Sequence, residues 1–289
     1  MGTVGVARIL GTVAPPVLLG VLSLTTGLDA AGWVVGLVAG WAATHLLTLA
    51  RLRSDRPEIL PPDWITMSRG LLAAGVAALV ADAADRPLPV PVVVGLASVA
   101  LVLDAVDGQV ARRTGTATPV GARLDGEVDA FLILVLSVAA ARDYGGWVLA
   151  IGAARYAFLV AGWIAPWLAA PLPYRFWRKV VAAVQGITLT VAIADFLPRA
   201  IGMAAVGVAL LLLAESFGRD VVLLYRTGAG QRTRTVVRYS RTTSRPNDSA
   251  SSSRATPTAA MPIARGRTPA IATVSVIPWT AATTLRQNR

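Results

Sequence analysis

Four aspartates, Asp104, Asp107, Asp125 and Asp129, fall within 26 residues of a chain that is strongly apolar on both sides of them. On a helix, positions three or four apart share a face, so Asp104 and Asp107 point together and Asp125 and Asp129 do the same. The connecting "RRTGTATPVG" carries Gly115, Pro119 and Gly121, residues that let a chain reverse. Two helical carboxylate pairs therefore face each other. Unpaired in hydrocarbon, each carboxylate costs about 2.5–3.5 kcal/mol at the bilayer centre and less near its surface, and a cation between the pairs offsets that cost. The chain has no cysteine, and its one histidine, His45, is remote and reads as a packing residue. All-oxygen ligation points to a hard ion such as Mg²⁺, Mn²⁺ or Ca²⁺. Four carboxylates match two divalent ions in charge, and two metals about 3.5–4 Å apart are a common clamp for displacement at phosphorus. The chemistry these residues suggest is phosphoryl or phosphatidyl transfer. A cation transporter is the rival outside enzymes, but transporters often show interrupted spans paired across two related halves, and no such pairing stands out.

The elements that must hold these residues are membrane helices. A composition 55% hydrophobic and 15% charged, with mean hydropathy +0.61, excludes an ordinary soluble domain. A span needs about 20 mainly apolar residues, and such windows lie at 5–27, 31–50, 66–84, 91–111, 123–141, 147–168, 181–197 and 201–224. The first lacks the short apolar core and cleavage site of a secretory signal, so it is expected to be retained. Arg51, Arg53, Arg56, Arg112, Arg113, Arg175, Arg178 and Lys179 gather on one side, against Arg86, Arg142 and Arg199 on the other, which puts both termini in the cytoplasm. The expected architecture is an all-α polytopic bundle: an N-terminal two-span hairpin (1–52), a six-span core (53–226) and a basic tail (227–289). From Arg226 onward eleven arginines face one acid, Asp248, without helical periodicity, so the tail is expected to be disordered. It either binds an anionic leaflet or is simply solvated.

Written as spacing, the stretch is Asp104-x2-Asp107-Gly108-x2-Ala111-Arg112-x8-Gly121-x3-Asp125-x3-Asp129. It resembles the signature of the CDP-alcohol phosphotransferases, with the likeness extending over 60–225. The resemblance implies that Asp104, Asp107 and Asp125 bind two divalent cations, Mg²⁺ or Mn²⁺, and that Asp129 is a further ligand or the base that deprotonates the acceptor. It also implies a donor, CDP-diacylglycerol, and a polar alcohol acceptor. Gly108 and Ala111 would leave room for the nucleotide, Gly121 would belong to the same CDP site, and Arg112 would meet phosphate charge. "PPDWITMSRG" resembles the family's Pro-Asn-x2-Thr-x2-Arg, with Asp63 where Asn is usual. Thr66 and Arg69 then approach the nucleotide phosphates, or Asp63 caps a helix and Arg69 snorkels. A homodimer in the plasma membrane, its active site facing the cytoplasm among membrane lipids and with no nucleic-acid partner, completes the expectation.

The acceptor site is less legible. Arg155 sits about 12 Å into its span at 1.5 Å per residue, and either pairs with an acid such as Glu215 or holds an anionic acceptor. Arg178 and Lys179 either anchor the seventh span at the interface or form a phosphate pocket. Lys179 and Gln185 are similar to a segment of the phosphatidylglycerophosphate synthase branch, but Arg178, Val181 and Ala182 depart from it. Ala130 departs from the inositol-phosphate branch. Glycerol 3-phosphate, inositol phosphate, phosphatidylglycerol and an unphosphorylated alcohol all remain as acceptors.

Overall fold

A computed structural model describes residues 3–54, 58–116, 118–169 and 176–243, with the backbone alone given for Arg112, Pro166, Ala169, Phe176 and 227–243. The described residues form eight α-helices and no strand: α1 (Thr3–Thr26), α2 (Ala30–Leu52), α3 (Pro61–Asp82), α4 (Val90–Arg113), α5 (Pro119–Tyr144), α6 (Leu149–Ile164), α7 (Phe176–Ile193) and α8 (Arg199–Thr243). Six of them are long and apolar enough to cross a membrane, so the chain is a multi-pass membrane protein. Neither α5, which carries Asp125, Glu127 and Asp129 in its first half, nor α7 is among the six. The chain divides into Met1–Leu224 and Tyr225–Arg289. In the second unit the described backbone is helical to Thr243; residues 244–289, where much of the expected disorder falls, lie outside the described residues.

Within the first unit α3 is the axis. Two-thirds of its apolar window (67%) is buried, against 17–28% for the other five spans, and it packs on α1, α2, α4 and α5. Small residues permit this closeness. Gly32, Gly36 and Gly40 form a stripe on α2, and a Cβ on Gly36 would come within 2.9 Å of the Ala78 methyl on α3. The rest of the core packs Val76, Leu79, Val93, Leu132, Leu136 and Leu189 from four helices against one another.

Local chemistry sets the helix ends. Thr118 caps α5 by accepting the Gly121 N–H (3.1 Å), with Pro119 in the first turn, and Asp29 caps α2 by accepting the Gly32 N–H (2.9 Å). At the opposite end of the bundle, Arg86 donates to the Gly27 carbonyl, Arg142 to Ala83 and Arg199 to Asp143 (2.8 Å), satisfying carbonyls that a helix end leaves open. The helices that begin furthest ahead of their hydropathy windows are α3 at Pro61, α5 at Pro119 and α7 at Phe176. A hydropathy window follows greasiness, and these first turns are polar. They carry Asp63, Gly121, Arg178 and Lys179.

Candidate active site

The site assembles where the last turns of α4 meet the first turns of α3, α5 and α7. Asp104 and Asp107 descend from α4, Asp125 and Asp129 from α5, Thr66 and Arg69 from α3, and Lys179 from α7. Each of Asp104, Asp125 and Asp129 offers a carboxylate oxygen, and the three atoms lie within 4.8 Å of one another. Arg69, its side chain 1% exposed, fills the space between them. Its Nη1 lies 3.0 Å from Asp104 Oδ1 and also bonds Asp125, while Nη2 bonds Asp129. Asp107 is buried and turned towards α3, accepting the Thr66 hydroxyl at 2.6 Å. Lys179, half exposed, brings Nζ to 3.8 Å from Asp125 Oδ2.

Charge does not balance here. Four carboxylates face two cationic side chains, so the ionised cluster is left with an excess of two negative charges. Their oxygens converge, and carboxylate is the donor that Mg²⁺ and Mn²⁺ prefer. The residues therefore fit divalent-cation binding, with Asp104, Asp125 and Asp129 already gathered and Asp107 one helical turn from Asp104.

Other candidates fall elsewhere. Arg155 pairs with Glu127 (Nη2–Oε1 2.6 Å), whereas Glu215 accepts from Trp177 Nε1 (3.2 Å) and pairs with Arg219. The acid that meets Arg155 is thus on α5, the helix α6 packs against. Glu127, two residues from Asp125 and two from Asp129, lies on the opposite face of their helix. Arg178 meets the buried Asp220 of α8 (Nε–Oδ2 3.0 Å), a pairing with no signal in sequence spacing. Gly121 lies beside Arg51, Thr118 and Asp63. Asp63 both serves the start of α3, accepting the Leu60 N–H at 2.7 Å, and pairs with Arg51. Gly108 and Ala111 are partly buried on α4, and the Arg112 side chain lies outside the described residues.

No curated protein and no solved structure matches the chain. A sequence model of one family, described as CDP-alcohol phosphatidyltransferase, matches residues 59–214, from the loop before α3 to the middle of α8. That match contains all four aspartates, Thr66, Arg69 and Lys179, and it leaves out α1 and α2. The chain belongs to the CDP-alcohol phosphatidyltransferase family and is a transferase of substituted phosphate groups.

Proposed function

We propose that this phosphatidyltransferase takes CDP-diacylglycerol as donor and a polar, phosphorylated alcohol as acceptor in phospholipid synthesis. The observation that carries the reading is the convergence of three carboxylates on one buried guanidinium with negative charge to spare. Asp104, Asp107, Asp125 and Asp129 would hold a pair of divalent cations, Mg²⁺ or Mn²⁺, whose charge would stabilise the pyrophosphate and the departing CMP. The acceptor oxygen attacks the phosphorus that bears the diacylglycerol. The bond from that phosphorus to the bridging oxygen breaks, and the oxygen leaves with CMP. Asp129, one helical turn beyond Asp125 on α5, takes the acceptor proton. Arg69, once the carboxylates have another counter-charge, is free to bind donor phosphate, for which its fork is well shaped. Thr66 fixes the Asp107 carboxylate by the hydrogen bond from its hydroxyl.

Lys179 supports an anionic acceptor, since it is the half-exposed cation beside Asp125. Arg155 and Arg178 support it less, because Glu127 and Asp220 already meet their charge; that pairing favours, as the second reading, an uncharged alcohol. The basic residues Arg51, Arg53, Arg113 and Arg123 flank the aspartate end of the bundle, which supports a cytoplasmic active site in the plasma membrane. The test is CMP release by the purified full chain from labelled CDP-diacylglycerol, with glycerol 3-phosphate, inositol phosphate, phosphatidylglycerol and unphosphorylated alcohols supplied in turn. Turnover with a phosphorylated acceptor is expected. Turnover with an unphosphorylated alcohol and with none of the phosphorylated ones would reject the acceptor class.

A further inference from the structure

Arg51 is the last basic residue of α2, in the hairpin that the family match leaves out. Its side chain is 2% exposed. Nη2 donates to Asp63 Oδ1 at 2.5 Å, and Nη1 donates to the Thr118 hydroxyl at 3.0 Å. Each partner is itself a helix-start residue. The other carboxylate oxygen of Asp63 takes the Leu60 N–H at the beginning of α3, and Thr118 takes the Gly121 N–H at the beginning of α5. One guanidinium therefore ties together the first turns of the two helices that, within about three turns, present Thr66 and Arg69 on one side and Asp125 and Asp129 on the other. A Cβ on Gly121 would stand 2.9 Å from Arg51 Nη2 and 3.1 Å from Thr118 Oγ1. The guanidinium occupies the space a side chain there would need.

We infer that Arg51 is a positioning residue for phosphatidyl transfer: the N-terminal hairpin sets the spacing of α3 and α5 through the Arg51–Asp63–Thr118 cluster, and Gly121 is required here as the seat of that guanidinium. The inference rests on the reading of the aspartate cluster as the reaction centre. Removing Arg51 leaves Asp63 buried without its counter-charge, a cost relieved by a shift of the helix start or by protonation of the carboxylate. A shift of about 1 Å between reacting groups is enough to cost on the order of 100-fold in rate.

The experiment uses the full chain in detergent, with kcat for CMP release and the Mg²⁺ concentration for half-maximal rate measured well below each variant's melting temperature. Arg51→Met is expected to lower kcat about 10- to 100-fold and to raise the Mg²⁺ requirement. Gly121→Ala should have a similar effect and add little on top of Arg51→Met, because both act through one guanidinium. Arg51→Met with Asp63→Asn removes both charges while an amide oxygen still accepts the Leu60 N–H, and should recover most of the lost rate. Should Arg51→Met fold too poorly to assay, this double variant and Gly121→Ala still decide: recovery in the first with loss in the second is expected. Wild-type kcat and Mg²⁺ dependence in Arg51→Met or Gly121→Ala, or no recovery in the double variant, overturns the inference. Asp104→Asn is the control: if it is inactive while Arg51→Met is unimpaired, only the positioning role fails, whereas an active Asp104→Asn removes the reaction centre on which it rests.

Discussion

Two buried arginines lie near the same end of this bundle and differ in what surrounds them. Arg51 meets one carboxylate and one hydroxyl, and both it and Asp63 are sealed from solvent. Arg69 meets three carboxylates, Asp104 among them still 32% exposed. The first arrangement is neutral and closed; the second is over-supplied with negative charge and open on one side. A buried pair that balances is what structure needs, since an uncompensated buried charge is costly. Surplus acid in a membrane protein is retained for another cation or a substrate. The contrast sets a fastening at Arg51 apart from the proposed reaction centre around Arg69.

The largest effects should come from the surplus acids. Asp104→Asn and Asp107→Asn are each expected to abolish CMP release while the protein stays folded and inserted, since losing one ligand undoes a metal clamp. Near-wild-type turnover in either, at saturating Mg²⁺ or Mn²⁺, would break the contrast at its functional end. Arg69→Gln should show the other side. Without metal it leaves three carboxylates facing one another and should cost about 3–5 kcal/mol of stability. Added Mg²⁺ should restore much of that loss and raise the melting temperature more than in wild type, because the ion becomes the main counter-charge. A melting temperature indifferent to Mg²⁺ in both proteins would mean that the cluster holds no cation.

What the sequence disclosed follows the range of the interactions. Asp104 with Asp107 and Asp125 with Asp129 share faces because helix periodicity is local, and the six helices long and apolar enough to cross a membrane are visible as continuous apolar runs. Asp63 and Thr66 could be placed near a helix start from "PPDWIT", although the helix begins earlier, at Pro61. Partner choice across helices was not legible. Arg51 with Asp63 and Thr118, Arg155 with Glu127 and Arg178 with Asp220 each depend on the rotation and depth of two helices, which no spacing within one helix encodes. Glu215 was as good a partner for Arg155 on composition alone; the packing of α6 on α5 decided otherwise.

The same distinction grades the remaining cations. Lys179, facing the surplus acids and half exposed, should act on substrate: Lys179→Met is expected to raise the acceptor KM, or lower kcat/KM, about 10- to 150-fold for a lost charge-assisted contact of about 1.5–3 kcal/mol. Arg178, paired with buried Asp220, should act on structure, so that Arg178→Met lowers the melting temperature with both KM values unchanged. Steady-state kinetics with each substrate varied, beside a melting curve, checks both. An unchanged acceptor KM and kcat/KM in Lys179→Met would reject the phosphate pocket. Removing residues 227–289 should alter neither quantity in detergent, since every residue of the cluster lies before Leu224; an inactive but stable truncation would contradict this.

The smallest effect belongs to the end of the bundle away from the aspartate cluster, where Asp29 is only partly buried. Asp29 caps α2 outside the membrane spans, its own N–H donates to Asp82 Oδ1 at 2.7 Å, and the half-exposed Arg86 stands 3.8 Å from Asp82. The Gly32 N–H, and next a hydrogen bond with Asp82, hold the Asp29 carboxyl below the ordinary carboxylate value, with Arg86 adding a weaker pull in the same direction. A carboxyl with a lowered folded-state pKa contributes stability that is present above the unfolded-state value, about 3.9, and is lost as pH falls through the folded-state value. Asp29→Asn keeps an oxygen for the Gly32 N–H but cannot titrate. Wild type should therefore lose slightly more of its melting temperature than Asp29→Asn on acidification from neutral pH to below the carboxylate range. Parallel curves would show that the charge on the Asp29 cap contributes nothing measurable here.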